Sequence, residues 1–142
     1  MSSIITFFVA ADDDSAAALA EGGPGEDLPS AGYGNFDVWT ALAEWESLAT
    51  DRSLMEIEEA GGAGVVSEGD DPVVLAFPAS LTRALSTSDG PALELLAEQW
   101  IALRAEEDED IDEELANDLL TDIAGLARTA VTAESALYVW VC

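Results

Sequence analysis

Two apolar segments, residues 2–10 and 136–142, constrain the fold most. They read SSIITFFVA and ALYVWVC, nearly continuous runs of β-branched, aromatic and other apolar residues. Strands that are covered on both faces have such runs, whereas strands with one solvated face alternate apolar and polar residues. The two segments therefore predict interior strands of one sheet, and they are candidates to pair with each other.

Six segments between these strands carry helical signals. Their apolar residues recur three or four positions apart, or a capping residue, proline or glycine marks one end. The segments are residues 12–23, 35–50, 53–62, 78–87, 88–107 and 112–132. Asn35 and Asp89 are N-cap candidates. The predicted buried stripe of the last helix consists of Ile111, Leu115, Leu119, Ile123 and Leu126.

The remaining segments are a loop and two short strands. Residues 22–34 contain five glycines and two prolines, so we expect a loop there. Residues 64–69 and 73–77 are strand candidates, with a hairpin turn at Asp70, Asp71 and Pro72. The order of elements predicts one α+β domain over residues 1–142. Its small sheet of about four strands, with the terminal strands central, packs with five or six helices.

The charge of the chain limits its partners. Thirty acidic residues face four arginines, and the absence of lysine and histidine leaves a formal charge of −26. Nucleic acids and anionic membrane surfaces are attracted by cationic groups, so neither is an expected partner. Basic proteins and cations remain as partners that the charge would attract. Solubility or adaptation to high salt explains the same composition without any partner.

The densest acidic stretch places eight acidic residues in the nine positions from Glu106 to Glu114. In a calcium-binding EF-hand frame that starts at Asp108, Glu113 stands where glycine is needed, and Leu119, beyond the stretch, stands where glutamate is needed. One interpretation is a solvated linker, 106–110, followed by negative charges in the first turn of a helix. The other interpretation is a binding patch for a basic protein.

The composition also excludes most catalytic chemistry. Without histidine there is no histidine base, catalytic triad or histidine metal ligand, and without lysine there is no Schiff base. We therefore expect no enzyme, cofactor, metal site or catalytic residue. Paired carboxylates in a hydrolase remain an alternative. Glu44, Glu46, Glu94 and Glu98 lie near tryptophans on predicted helices, and we expect all four at the surface.

The four tryptophans divide into core and surface candidates. Trp45, Trp100 and Trp140 fall on predicted core positions. Trp39 lies at the edge of its helix's apolar stripe, close in sequence to Tyr33 and Phe36. An exposed tryptophan with an acidic rim is typical of a protein interface, so Trp39 is a candidate anchor for a partner.

Several segments resemble the YfbM-like family of small bacterial α+β proteins of uncharacterised role. The resemblance rests on the opening strand IITFFVA, the helix at residues 42–53, the strand–proline–helix step VVLAFPASLTRAL, and a final helix that leads into ALYVWV. It covers most of the chain. It implies a fold and no activity.

These observations predict a non-enzymatic domain that binds a basic protein, in an inhibitor, immunity-type or phosphate-mimic role. The alternatives are an acidic domain without a charge-dependent partner and a carboxylate-based hydrolase. A single cysteine and a poor secretory signal at IITFFVAA favour a cytoplasmic protein. The residues expected to contact the partner are Glu106, Glu107, Asp108, Glu109, Asp110, Asp112, Glu113, Glu114 and Trp39.

Overall fold

The computed structural model describes residues 4–19, 30–34, 38–50, 53–59, 64–66 and 73–141. Its strands are β1 (Ile4–Ala10), β2 (Ser30–Gly34), β3 (Gly64–Val65), β4 (Val73–Ala76) and β5 (Ala136–Val141). Its helices are α1 (Asp13–Ala17), α2 (Val38–Thr50), α3 (Leu54–Glu59), α4 (Ala79–Ser86), α5 (Gly90–Glu106) and α6 (Glu113–Thr132). The predicted α+β class is confirmed.

The described strands form one antiparallel sheet in the order β2-β1-β5-β4-β3. β1 and β5 pair along most of their length, from Ile5 opposite Val141 to Ala10 opposite Ala136. The expected pairing of the two apolar segments inside the sheet is therefore confirmed. β3 and β4 pair as a hairpin would, but the turn predicted at residues 70–72 lies outside the described residues.

β2 is the strand that the sequence did not predict. Its five residues, SAGYG, fall inside the segment expected to be a loop, so that expectation is wrong for residues 30–34. Glycine disfavours strands because it has no side chain to pack and loses more backbone freedom. Here β1 supplies a complete pairing partner, from Ile4 opposite Gly34 to Phe8 opposite Ser30. That tertiary pairing outweighs the weak local preference.

The sheet has two unlike faces because successive side chains alternate sides. Ile5, Phe7 and Val9 of β1 belong to the main core, which they share with α2, α4, α5 and α6. Phe8 and Ala10 lie in a smaller cluster on the opposite face. α1 covers part of that face, and its Asp13 Oδ1 accepts a hydrogen bond of 2.7 Å from the hydroxyl of Tyr138. Four helices therefore stand on one side of the sheet.

Side-chain caps begin the two longest described helices. Asp89 Oδ1 accepts a 3.0 Å hydrogen bond from the amide of Ala92, and Asp112 Oδ1 accepts one from the amide of Glu114. Such caps each stabilise a helix by about 1 kcal/mol. The candidate cap Asn35 lies outside the described residues.

Within the described ranges, no helix has both the length and the apolar character that a bilayer span requires.

The buried face of α6 differs from the predicted stripe. Leu119, Ile123 and Leu126 are buried as expected, but Leu115 is 48% exposed. Alanines occupy much of the buried face instead, namely Ala116, Ala124, Ala127 and Ala130. The predicted stripe was based on large apolar residues and therefore missed the alanines. The small side chain of alanine lets a helix approach a sheet closely. Trp140, expected in the core, is only partly buried.

Candidate functional site

The acidic stretch, residues 106–114, joins α5 to α6 and is called the acidic turn below. α5 continues through Glu106, so the predicted linker begins one residue later than expected. The amide of Asp108 donates to the carbonyl of Ala105, and the amide of Glu109 donates to that of Arg104 at 2.9 Å. Asp108 adopts a left-handed backbone with φ of 60°. This pairing of two bonds is the Schellman termination of a helix, so the turn has a defined backbone.

Two of the eight carboxylates have structural roles. Glu109 Oε2 accepts a 3.2 Å hydrogen bond from Nη1 of Arg104, and Asp112 caps α6. The other six side chains are exposed, and none forms an ion pair with a described residue. They are Glu106, Glu107, Asp108, Asp110, Glu113 and Glu114. The structure therefore brings the predicted acidic residues together and leaves most of them facing solvent.

Arg104 connects the acidic turn to a carboxylate in the helical layer. Its Nη2 donates to Oε2 of Glu44, whose other oxygen accepts a 3.2 Å bond from Nε1 of Trp100. Glu44 is 2% exposed, and nearby Glu46 is 4% exposed with a 2.8 Å bond from the hydroxyl of Ser80. A buried carboxylate requires such partners, because burial removes its hydration.

The expectation that Glu44 and Glu46 lie at the surface is therefore wrong. α2 lies against both α4 and α5, so the positions on either side of Trp45 are buried as well as Trp45 itself. Glu94 and Glu98, on α5, are exposed as expected. Trp45 and Trp100 are buried and meet edge to face with ring centroids 5.2 Å apart.

Arg104 is held in its charged form. Burial alone would lower the pKa of this guanidinium, but its hydrogen bonds to Glu44 and Glu109, and the charges of both, outweigh burial and raise it. The Nε–H group of Arg104 is buried and has no hydrogen-bond partner in the described part of the chain. Arg104 thus pairs with one buried and one partly exposed carboxylate, and the six exposed carboxylates of the turn have no ion-pair partner among the described residues.

Two open clefts lie beside α6 in the described part of the chain. One, of about 430 Å³, is lined by Asp112, Glu113, Glu114, Asn117 and Asp118. The second, also about 430 Å³, lies between β2 and α6 and has Asp122 as its single acidic residue. Glu44 and Glu46 line neither cleft. No group of three or more potential metal ligands is assembled within the described ranges.

The predicted anchor Trp39 belongs to α2, but its side chain lies outside the described residues, as does Phe36. Its role in binding stays a prediction. The residues that sequence reasoning missed are Glu44 and Arg104, which lie 60 positions apart and follow no shared pattern. The one available signal was scarcity, because an arginine among so many carboxylates is expected to have acidic partners.

Comparison of the chain with protein-family models, with curated proteins and with solved structures finds no match. The resemblance to the YfbM-like family stays a prediction.

Proposed function

We propose that this chain is a non-enzymatic interaction domain that binds a basic protein through the acidic turn. An inhibitor, an immunity-type partner and a mimic of nucleic-acid phosphates would all use such a surface. Six exposed carboxylates within nine residues, none in an ion pair with a described residue, carry this proposal. Arg104 pairs with Glu109 alone among the carboxylates of the turn, and its other terminal nitrogen binds buried Glu44.

The position of the turn supports binding as well. The last turn of α5 and the cap of α6 fix its two ends, so its carboxylates project from a defined backbone. Glu114 and Asp118 extend the charge along α6, because residues four positions apart share one helix face. An acidic surface of this kind attracts a basic partner over a distance and raises the rate of association.

Neutralisation of the turn tests the proposal. The turn variant carries Glu106→Gln, Glu107→Gln, Asp108→Asn and Asp110→Asn, which leave Glu109 and the first turn of α6 intact. A matched control carries Glu56→Gln, Glu59→Gln, Glu94→Gln and Glu98→Gln at exposed positions on α3 and α5. Each set changes the formal charge by the same amount, from −26 to −26 + 4 = −22.

We expect the wild type and the control to capture the same basic proteins from a lysate at physiological ionic strength. The turn variant should lose them, and its association rate with each captured protein should fall at least roughly tenfold. If both variants lose the captured proteins equally, binding depends on total charge and the proposal is contradicted. If both keep them, the acidic turn is not the binding surface, which also contradicts the proposal. Capture of nothing by the wild type would favour an acidic domain with no charge-dependent partner.

A further inference from the structure

Arg104 holds the acidic turn at three points. Its Nη1 donates to Glu109, and its backbone carbonyl accepts hydrogen bonds from the amides of Glu107 (3.0 Å) and Glu109 (2.9 Å). Its Nη2 reaches in the other direction, to Glu44. The exposed fraction of the side chain is 15% for Arg104, 3% for Glu44 and 43% for Glu109. One guanidinium therefore spans from the helical layer to the surface.

We propose that Arg104 is a positioning residue, which anchors the acidic turn to buried Glu44 and presents its carboxylates as a fixed array. The presentation to a partner rests on the proposed function; the anchoring does not. The planar guanidinium is suited to this task because its separate N–H groups bind two carboxylates at once. Lysine, with a single ammonium group on a flexible stem, would not hold both in the same geometry.

The two arms of Arg104 differ in strength. The bond to Glu44 is shielded from water and is supported by Trp100, so breaking it would leave a charge buried without its partner. The bond to Glu109 is partly solvated and weaker. The inner pair therefore keeps the guanidinium in place, and the outer bond ties the side chain of Glu109 to it.

A fixed array binds better than a mobile one because less conformational freedom is lost on association. Effects of this kind appear mainly in the dissociation rate, since the charge that steers the encounter is unchanged. Loss of the bond between Arg104 and Glu109 should therefore raise the dissociation rate, whereas loss of charge alone should lower the association rate. A charge-only change in the same turn should slow association and leave the amides of the turn protected.

Glu109→Ala and Glu107→Ala make this comparison, because both remove one carboxylate and only the first removes a bond to Arg104. The probe is an octa-arginine peptide, and the readouts are its dissociation rate and the hydrogen exchange of the amides at positions 108 and 109. We expect dissociation and exchange to be about fivefold faster in Glu109→Ala than in Glu107→Ala, as loss of a partly exposed ion pair implies.

Arg104→Lys provides a second variant that keeps the charge at position 104. It should behave like Glu109→Ala in amide exchange, although its formal charge equals that of the wild type. Equal exchange in Glu109→Ala and Glu107→Ala would overturn the positioning role of Arg104, whatever the peptide does. Wild-type protein that fails to bind the peptide would count against the proposed function, while amide exchange would still decide the role of Arg104.

Discussion

Glu44 and Glu46 of α2 differ from the carboxylates of the acidic turn in their burial and in the protein partners that they need. Both α2 carboxylates are at most 4% exposed, and each accepts a hydrogen bond from a side chain of another helix. The six exposed carboxylates of the turn have no ion-pair partner among the described residues. A buried charge must replace its hydration with protein partners, whereas an exposed one keeps its water.

The contrast shows how the few arginines are used. Arg104 binds Glu44, and Arg128 donates to the backbone carbonyls of Ser86 and Ser88 at the end of α4, at 3.3 Å and 2.6 Å. Both therefore satisfy acceptors that the fold itself creates. Two of the four arginines therefore bind acceptors within the fold, in a chain whose thirty acidic residues already far outnumber its cations.

The largest expected effect in this comparison comes from removing the inner cation. Arg104→Met leaves Glu44 buried with only the indole N–H of Trp100 as a described side-chain donor. Removing one partner of a buried pair costs about 3–5 kcal/mol because the remaining charge is uncompensated. Urea unfolding of Arg104→Met should show this loss. Arg83→Met, at an exposed position on α4, should change the free energy of unfolding by less than about 0.5 kcal/mol.

A double variant separates the buried charge from the packing. Glu44→Leu with Arg104→Met removes both charges, and it should recover most of the stability lost in Arg104→Met. If the single variant is as stable as Arg83→Met, then Glu44 is solvated, and the contrast with the acidic turn disappears.

The parts of the fold that sequence predicted are those with strong local signals. β1 and β5 were predicted because their apolar runs have one compatible environment, the inside of a sheet. β2 was not predicted because its stability comes from pairing with β1, and the local sequence SAGYG does not indicate that pairing. Leu115 was misplaced because α6 turns a face of alanines toward the core.

The candidate site was predicted in part for a similar reason. The acidic turn is a local feature of the sequence, so its exposure followed from charge density. The bond between Glu44 and Arg104 depends on how α2 and α5 pack, and no spacing within either helix indicates it. Partners 60 residues apart are found only when the packing is known.

Asp13 is intermediate between the two kinds of carboxylate, because it is exposed but accepts a hydrogen bond from a buried hydroxyl. Tyr138 is 1% exposed, and burial, followed by the bond to Asp13 and the charges of Asp13 and Asp12, raises the pKa of its hydroxyl well above its usual value. The unfolded chain releases this proton near pH 10, while the folded protein retains it. The free energy of unfolding should therefore fall above pH 10, by up to about 1.4 kcal/mol per pH unit.

Urea unfolding at pH values from 8 to about 11.5 measures this slope. In Tyr138→Phe, the part of the fall in the free energy of unfolding that comes from this hydroxyl should be absent. Tyr33→Phe is the control, because it removes a tyrosine hydroxyl at another position. A slope that is equal in wild type and Tyr138→Phe would show that the hydroxyl titrates normally, and it would remove Asp13 from the set of carboxylates with a structural role.

The smallest expected effect separates backbone strain from charge in the acidic turn. Asp108 and Glu134 occupy the same position after α5 and α6, each with a left-handed backbone, at φ of 60° and 55°. Glutamate tolerates that conformation less well than aspartate, whose short side chain bonds locally. Glu134→Gly should therefore stabilise the protein by about 1 kcal/mol, and Asp108→Gly by less.

Matched substitutions complete the test of strain. Ala133→Gly changes the neighbouring residue, whose φ of −88° suits any side chain, so it should destabilise the protein by roughly 0.5–1 kcal/mol. Asp108→Asn keeps a side chain suited to the left-handed region and removes only the charge. If Asp108→Asn and Asp108→Gly change urea unfolding equally, then repulsion among the carboxylates, rather than backbone strain, is the main cost of Asp108. The acidic turn would then be destabilised by its own charge, as a surface retained for binding would be.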